Sequence, residues 1–305
     1  MSKNTEINSS KRKNRFGDRK DAWLLRNQDG LHILMPFMYP KKCDNEAFIR
    51  EQIDLTAINK YLEKKNSSNQ HPEFPYKVFQ VIVAAFAKTV YHRPKMNQFV
   101  RGQRLWERKE FSEAFMVKRQ FTDSAKEGIA FLTFPQQGEH YIPMEFVHEK
   151  LFKIIYPLKQ GKGDSISNTI DILTKFPHWV VRLFMAFISW LDFHGRVPAS
   201  LMKGDPSYST VFLSNLGSIK LNAGYHHLSE RGSNSIFVTV GEYHPAPFYD
   251  EKGNVEMRQV LDIGITLDER IADGYYYSKT IKLLKYLLSN PELLDEDVSN
   301  EVNYE

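Results

Sequence analysis

Asp268-Glu269-Arg270-Ile271-Ala272-Asp273-Gly274 places four charged side chains and a glycine at the junction of two apolar runs. The run before it, Gln259 to Leu267, has the composition of a strand. The run after it, Ser278 to Leu288, carries leucines on one face at helical spacing and is followed by Pro291, which ends a helix. Charge concentrated at a strand-to-helix joint marks a place where polar groups are brought together. Asp273 followed by Gly274 also has the form of a helix N-cap with a tight turn. About fifty residues upstream, Phe212-Leu213-Ser214-Asn215-Leu216-Gly217 reads as a strand running into a turn.

Further out, Val211 to Ser214, Ser235 to Val240 and Gln259 to Leu267 read as three strands, with a turn at Asp250–Gly253 between the last two. Ile49 to Leu55 reads as a strand, with Thr56 expected to cap a helix over Ala57 to Lys65. Tyr76 to Tyr91 is apolar nearly all round, which predicts a buried helix. Ala114 to Lys118 and Gly128 to Phe134 read as strands, and Met144 to Gln160 as a helix. This irregular mixture predicts an α/β (α+β, two-layer) fold with a mixed sheet covered by helices. Phe176 to Phe193 is strongly apolar but carries Pro177, His178, Arg182 and Asp192. It falls short of a membrane span and is expected to be buried in the core or in a subunit contact.

The two motifs together resemble the catalytic domain of the 2-oxo acid dehydrogenase acyltransferases (dihydrolipoamide acyltransferases), of the chloramphenicol acetyltransferase-like superfamily. That family carries T-[IL]-S-[NS]-[LI]-G, then D-H-R-x-x-D-G, then a helix ending in a tail like Asn290-Pro291-Glu292-Leu293-Leu294. Ile236 to Glu242 resembles its intervening strand. Ile53-Asp54-Leu55-Thr56 and Arg93-Pro94-Lys95-Met96-Asn97 resemble two of its upstream motifs. The resemblance spans about residues 46 to 295 and is strongest after residue 205.

The resemblance implies a coenzyme-A-dependent acyl transfer in a homotrimer, with the active site between subunits. Ser214 would donate a hydrogen bond to the tetrahedral oxyanion, a role that suits a fixed hydroxyl. Asp273 would be structural, holding the site through an ion pair. Asn215 and Gly274 belong to the same motifs, and Arg270 has Asp268 and Asp273 as rival partners. The departure is Glu269, which stands where the family carries its histidine general base. A carboxylate is ordinarily about two pKa units less basic than an imidazole, and burial is what raises it. His226 and His227, between the Ser214 strand and the next, are the histidines best placed to take over the proton.

The apolar and charged fractions, 42% and 26%, are those of a chain able to bury a core. The net charge of +4 is concentrated at the start: seven basic residues among the first twenty face only Glu6 and Asp18, leaving about −1 for the remainder. That balance argues against nucleic acid as a partner. Residues 1–22 are expected to form a basic, disordered tail, and residues 23–298 the acyltransferase domain. A single cysteine, Cys43, excludes an internal disulfide, and no histidine spacing predicts a metal site. No lipoyl-bearing or subunit-binding segment, and so no covalently bound lipoyl group, is expected on this chain. A cytoplasmic location is expected.

Three functions follow. One is a stand-alone acyltransferase using acyl-CoA and an unidentified acyl acceptor. Another is a catalytically inactive trimeric binding or regulatory module (a pseudoenzyme) that retains the fold. The third is a protein with a membrane-surface contact through the basic tail and Phe176 to Phe193.

Overall fold

Val78–His92 (α3) is the helix on which the fold is assembled. All but Phe79 of residues 78–90 are buried, as expected of a segment apolar on every side. Val81, Ile82 and Val83 are fully withdrawn from solvent, each contributing on the order of 1.5–3 kcal/mol. The computed structural model describes residues 12–69, 71–118, 127–136, 138–159 and 175–304.

Within these, the helices are α1 (Gly30–Met38), α2 (Thr56–Ser67), α3, α4 (Pro143–Lys159), α5 (His178–Phe193), α6 (Ala199–Met202) and α7 (Gly274–Ser289). The strands are β1 (Ala22–Leu24), β2 (Glu46–Asp54), β3 (Gln98–Arg101), β4 (Arg104–Arg108), β5 (Ser112–Lys118), β6 (Glu127–Thr133), β7 (Val211–Asn215), β8 (Ile236–Tyr249) and β9 (Val255–Asp268). Six strands form a mixed sheet in the order β2-β9-β8-β7-β5-β6, and β1-β4-β3 form a small antiparallel sheet. Strand β7 runs parallel to both β5 and β8. The α/β class expected from the sequence is the one observed.

On β9, Leu261, Ile263, Ile265 and Leu267 point to the core shared with α3 and α7, and Asp262, Gly264, Thr266 and Asp268 to the other face. That second face is covered by the chain between β7 and β8. The Thr239 hydroxyl donates to the Gly224 carbonyl, and a side chain at residue 264 would run into the same carbonyl. Only glycine at 264 allows the covering segment to lie this close. Lys42 ties down the later part of that segment by donating to the carbonyls of Ser229, Gly232 and Asn234 at 2.9, 3.1 and 2.9 Å.

The structure corrects four local expectations. Thr56 does not cap α2 with its side chain. Asp54 Oδ1 accepts from the Thr56 amide at 2.9 Å and its hydroxyl at 2.6 Å, and Thr56 is already helical. Strands β8 and β9 run on to Tyr249 and Val255, longer than their apolar cores, because their outer halves pair with each other beyond a bulge at Val240/Tyr243. Residues 12–20 are not a free tail. Arg19 is buried, with its guanidinium on Asp21 and on Asp192 of α5. The remainder of the expected tail, residues 1–11, and Gln160 at the end of the α4 expectation lie outside the described residues. Finally, α5 is not a core helix, since only Ile188 and Asp192 are buried.

One buried group opposes the fold. Glu113 of β5 is fully withdrawn from solvent, and neither carboxyl oxygen has a hydrogen-bond partner among the described residues. Burial alone pushes its carboxyl well above the usual glutamate range. The folded chain therefore holds this proton to higher pH than the unfolded chain does. The stability that this provides is complete below the ordinary glutamate pKa and is lost as pH rises towards the folded value. Replacing the stranded group, Glu113→Met, is expected to stabilise the protein by about 1–3 kcal/mol. In urea denaturation the gap over the wild type should widen as pH rises above the ordinary glutamate pKa; a gap independent of pH would count against a protonated Glu113.

Candidate functional site

The strand-to-helix joint folds as a locked turn with one outward side chain. Asp268 closes β9 and Arg270 follows two residues later. Their side chains meet in a bidentate pair, Nε to Oδ1 at 2.7 Å and Nη2 to Oδ2 at 2.6 Å, with exposures of 1% and 0%. The third guanidinium nitrogen donates to the carbonyls of Tyr39 at 2.9 Å and Pro40 at 3.3 Å, just beyond α1. Asp268 Oδ1 also accepts from the Arg270 amide, and its carbonyl accepts from the Tyr277 hydroxyl at 2.9 Å. Of the two partners open to Arg270, the structure selects Asp268, because the short turn brings their side chains side by side in the interior. Glu269, between them, is left exposed.

Asp273 does not hold the site by an ion pair; among the described residues no salt bridge to it is found. It caps α7, its Oδ1 accepting from the Tyr276 amide at 2.8 Å. That amide, with Lys95 nearby, holds its carboxyl below the usual aspartate range. Gly274 is the first residue of α7, with open space around its α-carbon.

Glu269 opens onto a cleft of about 740 Å³ between α1, β2 and α7. Its walls are largely apolar: Leu31 and Met35 from α1, Ala47 and Ile49 from β2, Tyr277 and Ile281 from α7. Asp273 also lines it, and Glu51 and Lys285, paired at 2.6 Å, stand on its β2 and α7 sides. His32 joins the lining with Nδ1 2.6 Å from the carboxylate of Asp29, which caps α1. Sequence reasoning missed α1 and so missed this wall. Its signals were Asp29 ahead of an apolar run, obscured by Pro36 inside the helix.

The second motif lies elsewhere. Ser214 stands on β7, half-buried, and its hydroxyl has no hydrogen-bond partner among the described residues. Asn215 Oδ1 accepts from the Ser218 amide at 3.2 Å and shapes the turn after the strand. Ser214 pairs with Thr239 of β8, and Thr239 with Gly264 of β9, five residues before Glu269. Two strand spacings and five residues of rise separate Ser214 from Glu269 by roughly 15–20 Å. Within one chain they do not share a site.

His226 and His227 are exposed on the covering segment. His226 stacks on Phe237, ring centroids 4.2 Å apart, and its Nδ1 lies 2.8 Å from the His227 carbonyl. Neither lines the Glu269 cleft. Among the described residues no group of three or more histidine, cysteine or acidic side chains is placed to hold a metal.

Residues 198–295 match the family described as 2-oxoacid dehydrogenases acyltransferase (catalytic domain). Three solved structures resemble the chain. One is a probable dihydrolipoamide acetyltransferase from Listeria monocytogenes (12% identity, 91% of this chain and 97% of that one, TM-score 0.54). Another is the cubic core of the pyruvate dehydrogenase multienzyme complex (14%, 89% and 94%, 0.53). The third is the Azotobacter vinelandii dihydrolipoamide acetyltransferase, studied for the role of a serine, a histidine and an asparagine in its catalytic mechanism (15%, 88% and 94%, 0.52). A comparison with curated proteins finds no match. At these identities the likeness establishes the fold. It is the fold of the dihydrolipoamide acetyltransferase catalytic cores, the one that the two motifs imply.

The locked turn has a measurable signature. Asp268→Ala leaves the Arg270 guanidinium buried without its carboxylate and is expected to cost about 3–5 kcal/mol. Asp268→Leu combined with Arg270→Met removes both charges and is expected to cost less than the single change; guanidinium denaturation of the three proteins measures the difference.

Proposed function

We propose that this chain is an acyltransferase that moves an acyl group between coenzyme A and a small acceptor, acting as a homotrimer. Glu269 of one protomer faces Ser214 of the next. The observation that carries this reading is the placement of the two groups. Glu269 is exposed and Ser214 half-buried, each stands within its own motif, and they lie roughly 15–20 Å apart in a single chain. A second protomer over the cleft brings a serine to Glu269 and supplies the burial that a carboxylate needs to act as a base near neutral pH. Multimeric assembly of a catalytic core with this fold, the cubic core of the pyruvate dehydrogenase complex, is consistent with such a site.

In this reading Glu269 accepts the proton of the attacking thiol or hydroxyl as it adds to the thioester carbonyl. The Ser214 hydroxyl donates to the oxyanion, which then collapses with release of the coenzyme A thiolate. Asp268 and Arg270 hold the turn so that Glu269 projects into the cleft, and Asp273 fixes the start of α7. The apolar walls from Leu31, Met35, Ile49 and Ile281 suit an acyl chain or acceptor with substantial hydrocarbon surface.

Acyl-CoA turnover against a panel of amines, alcohols and thiols tests the reading. Glu269→Gln is expected to lower kcat/KM by about 10²–10⁴, and Ser214→Ala by about 10²–10³. Mixing the two variants, with exchange of subunits, should restore part of the activity, because some interfaces then hold an intact Glu269 and an intact Ser214. Turnover indifferent to both substitutions refutes these roles. Calorimetric binding of coenzyme A without turnover by the wild type would instead identify a non-catalytic binding module.

A further inference from the structure

We propose that α5 lies in the surface of an anionic lipid bilayer and holds the protein there as a peripheral membrane protein. The helix is amphipathic in the reverse of the usual sense. Ile188 and Asp192, the buried residues, share one side of it. The opposite side carries Trp179, Leu183, Ala186, Phe187, Trp190 and Phe193 at helical spacing, and all six are exposed. Trp179 is 70% exposed, Leu183 66% and Phe187 55%. Water is thus offered a continuous aromatic and aliphatic stripe about four turns long. No helix among the described residues is long and apolar enough to cross a membrane.

Charge selects the occupant. From Lys175 to Lys203 the only acidic side chain is Asp192, and it is buried between Arg19 and Arg101. Lys175, Arg182, Arg196 and Lys203 are all exposed. The Arg19 guanidinium donates to the Asp192 carbonyl at 3.1 Å, which fixes this point of the basic N-terminal segment at the C-terminal end of α5. Lys13 and Arg15 in that segment are exposed as well, with Phe16 wholly exposed beside them. A second copy of this chain meeting α5 face to face would set these cations against their own kind. A bilayer bearing anionic headgroups accepts the aromatic stripe and the cations together, and two such signals are what stable surface attachment requires. Tryptophans near both ends of the stripe suit the headgroup boundary.

Co-sedimentation of the full-length protein with phosphatidylcholine vesicles, with and without phosphatidylglycerol, tests the proposal. Binding is expected with phosphatidylglycerol, weakening as salt is raised, and little binding without it. Leu183→Glu with Phe187→Glu is expected to weaken vesicle binding at least about tenfold. Both side chains point away from the core, so the thermal melt followed by circular dichroism should be unchanged. A wild type that stays in the supernatant with both vesicles overturns the proposal, as does a folded double variant that binds as well as the wild type. A wild type that ignores vesicles but loses oligomeric mass in light scattering on the same substitutions assigns the stripe to a subunit contact and equally overturns it.

Discussion

The buried pair of Asp268 and Arg270 is the interaction around which the candidate site is organised. A carboxylate and a guanidinium withdrawn from water are tolerable only when every strong hydrogen-bonding direction is used, and here the pair reaches the turn's own amide and the chain after α1. Consequently β9, α1 and the start of α7 cannot shift independently. The cleft they enclose has fixed walls, and the residue between the two charges is forced outward into it. Lys42, a few residues beyond α1, extends the same arrangement to the segment that covers the sheet.

What this rigidity presents is one outward carboxylate at a largely apolar cleft. Glu269 is exposed at the cleft, while Ser214 stands across the sheet, too far along the strands to meet it in the same chain. The separation follows from strand spacing and rise and does not depend on side-chain conformation. The chemistry open to Glu269 is therefore set by what comes to cover the cleft. Burial away from compensating charge raises a carboxyl pKa and makes the carboxylate a better base. Within one chain the two loop histidines do not line the cleft, and His226 is stacked on Phe237.

The helix α5 shows a different logic. A helix this apolar normally turns its greasy face inward, and this one is fastened at its C-terminal end by Asp192 with the stripe left outside. Arg19 makes the same anchor hold the basic N-terminal segment, so one buried carboxylate brings the apolar and the cationic features of the surface together.

Much of the fold was legible in the residues themselves. Alternation marked β5, β6 and the inner halves of β8 and β9, all-round apolarity marked α3, and the two spaced motifs carried the family likeness. These are local periodicities and short-range spacings, which a linear sequence records directly. Capping was read less well: Thr56 and Asp54 are both competent acceptors, and only backbone geometry chooses between them. Helix α1 went unseen because Pro36 interrupts a short pattern. The tertiary structure alone decided that Arg270 pairs with Asp268, that Asp273 is a cap, that Ser214 and Glu269 are strangers within one chain, and that α5 turns its apolar face to the outside. Each is a matter of which groups from distant parts of the chain share one dry space, and composition says that a group is greasy or charged without saying what will stand opposite it.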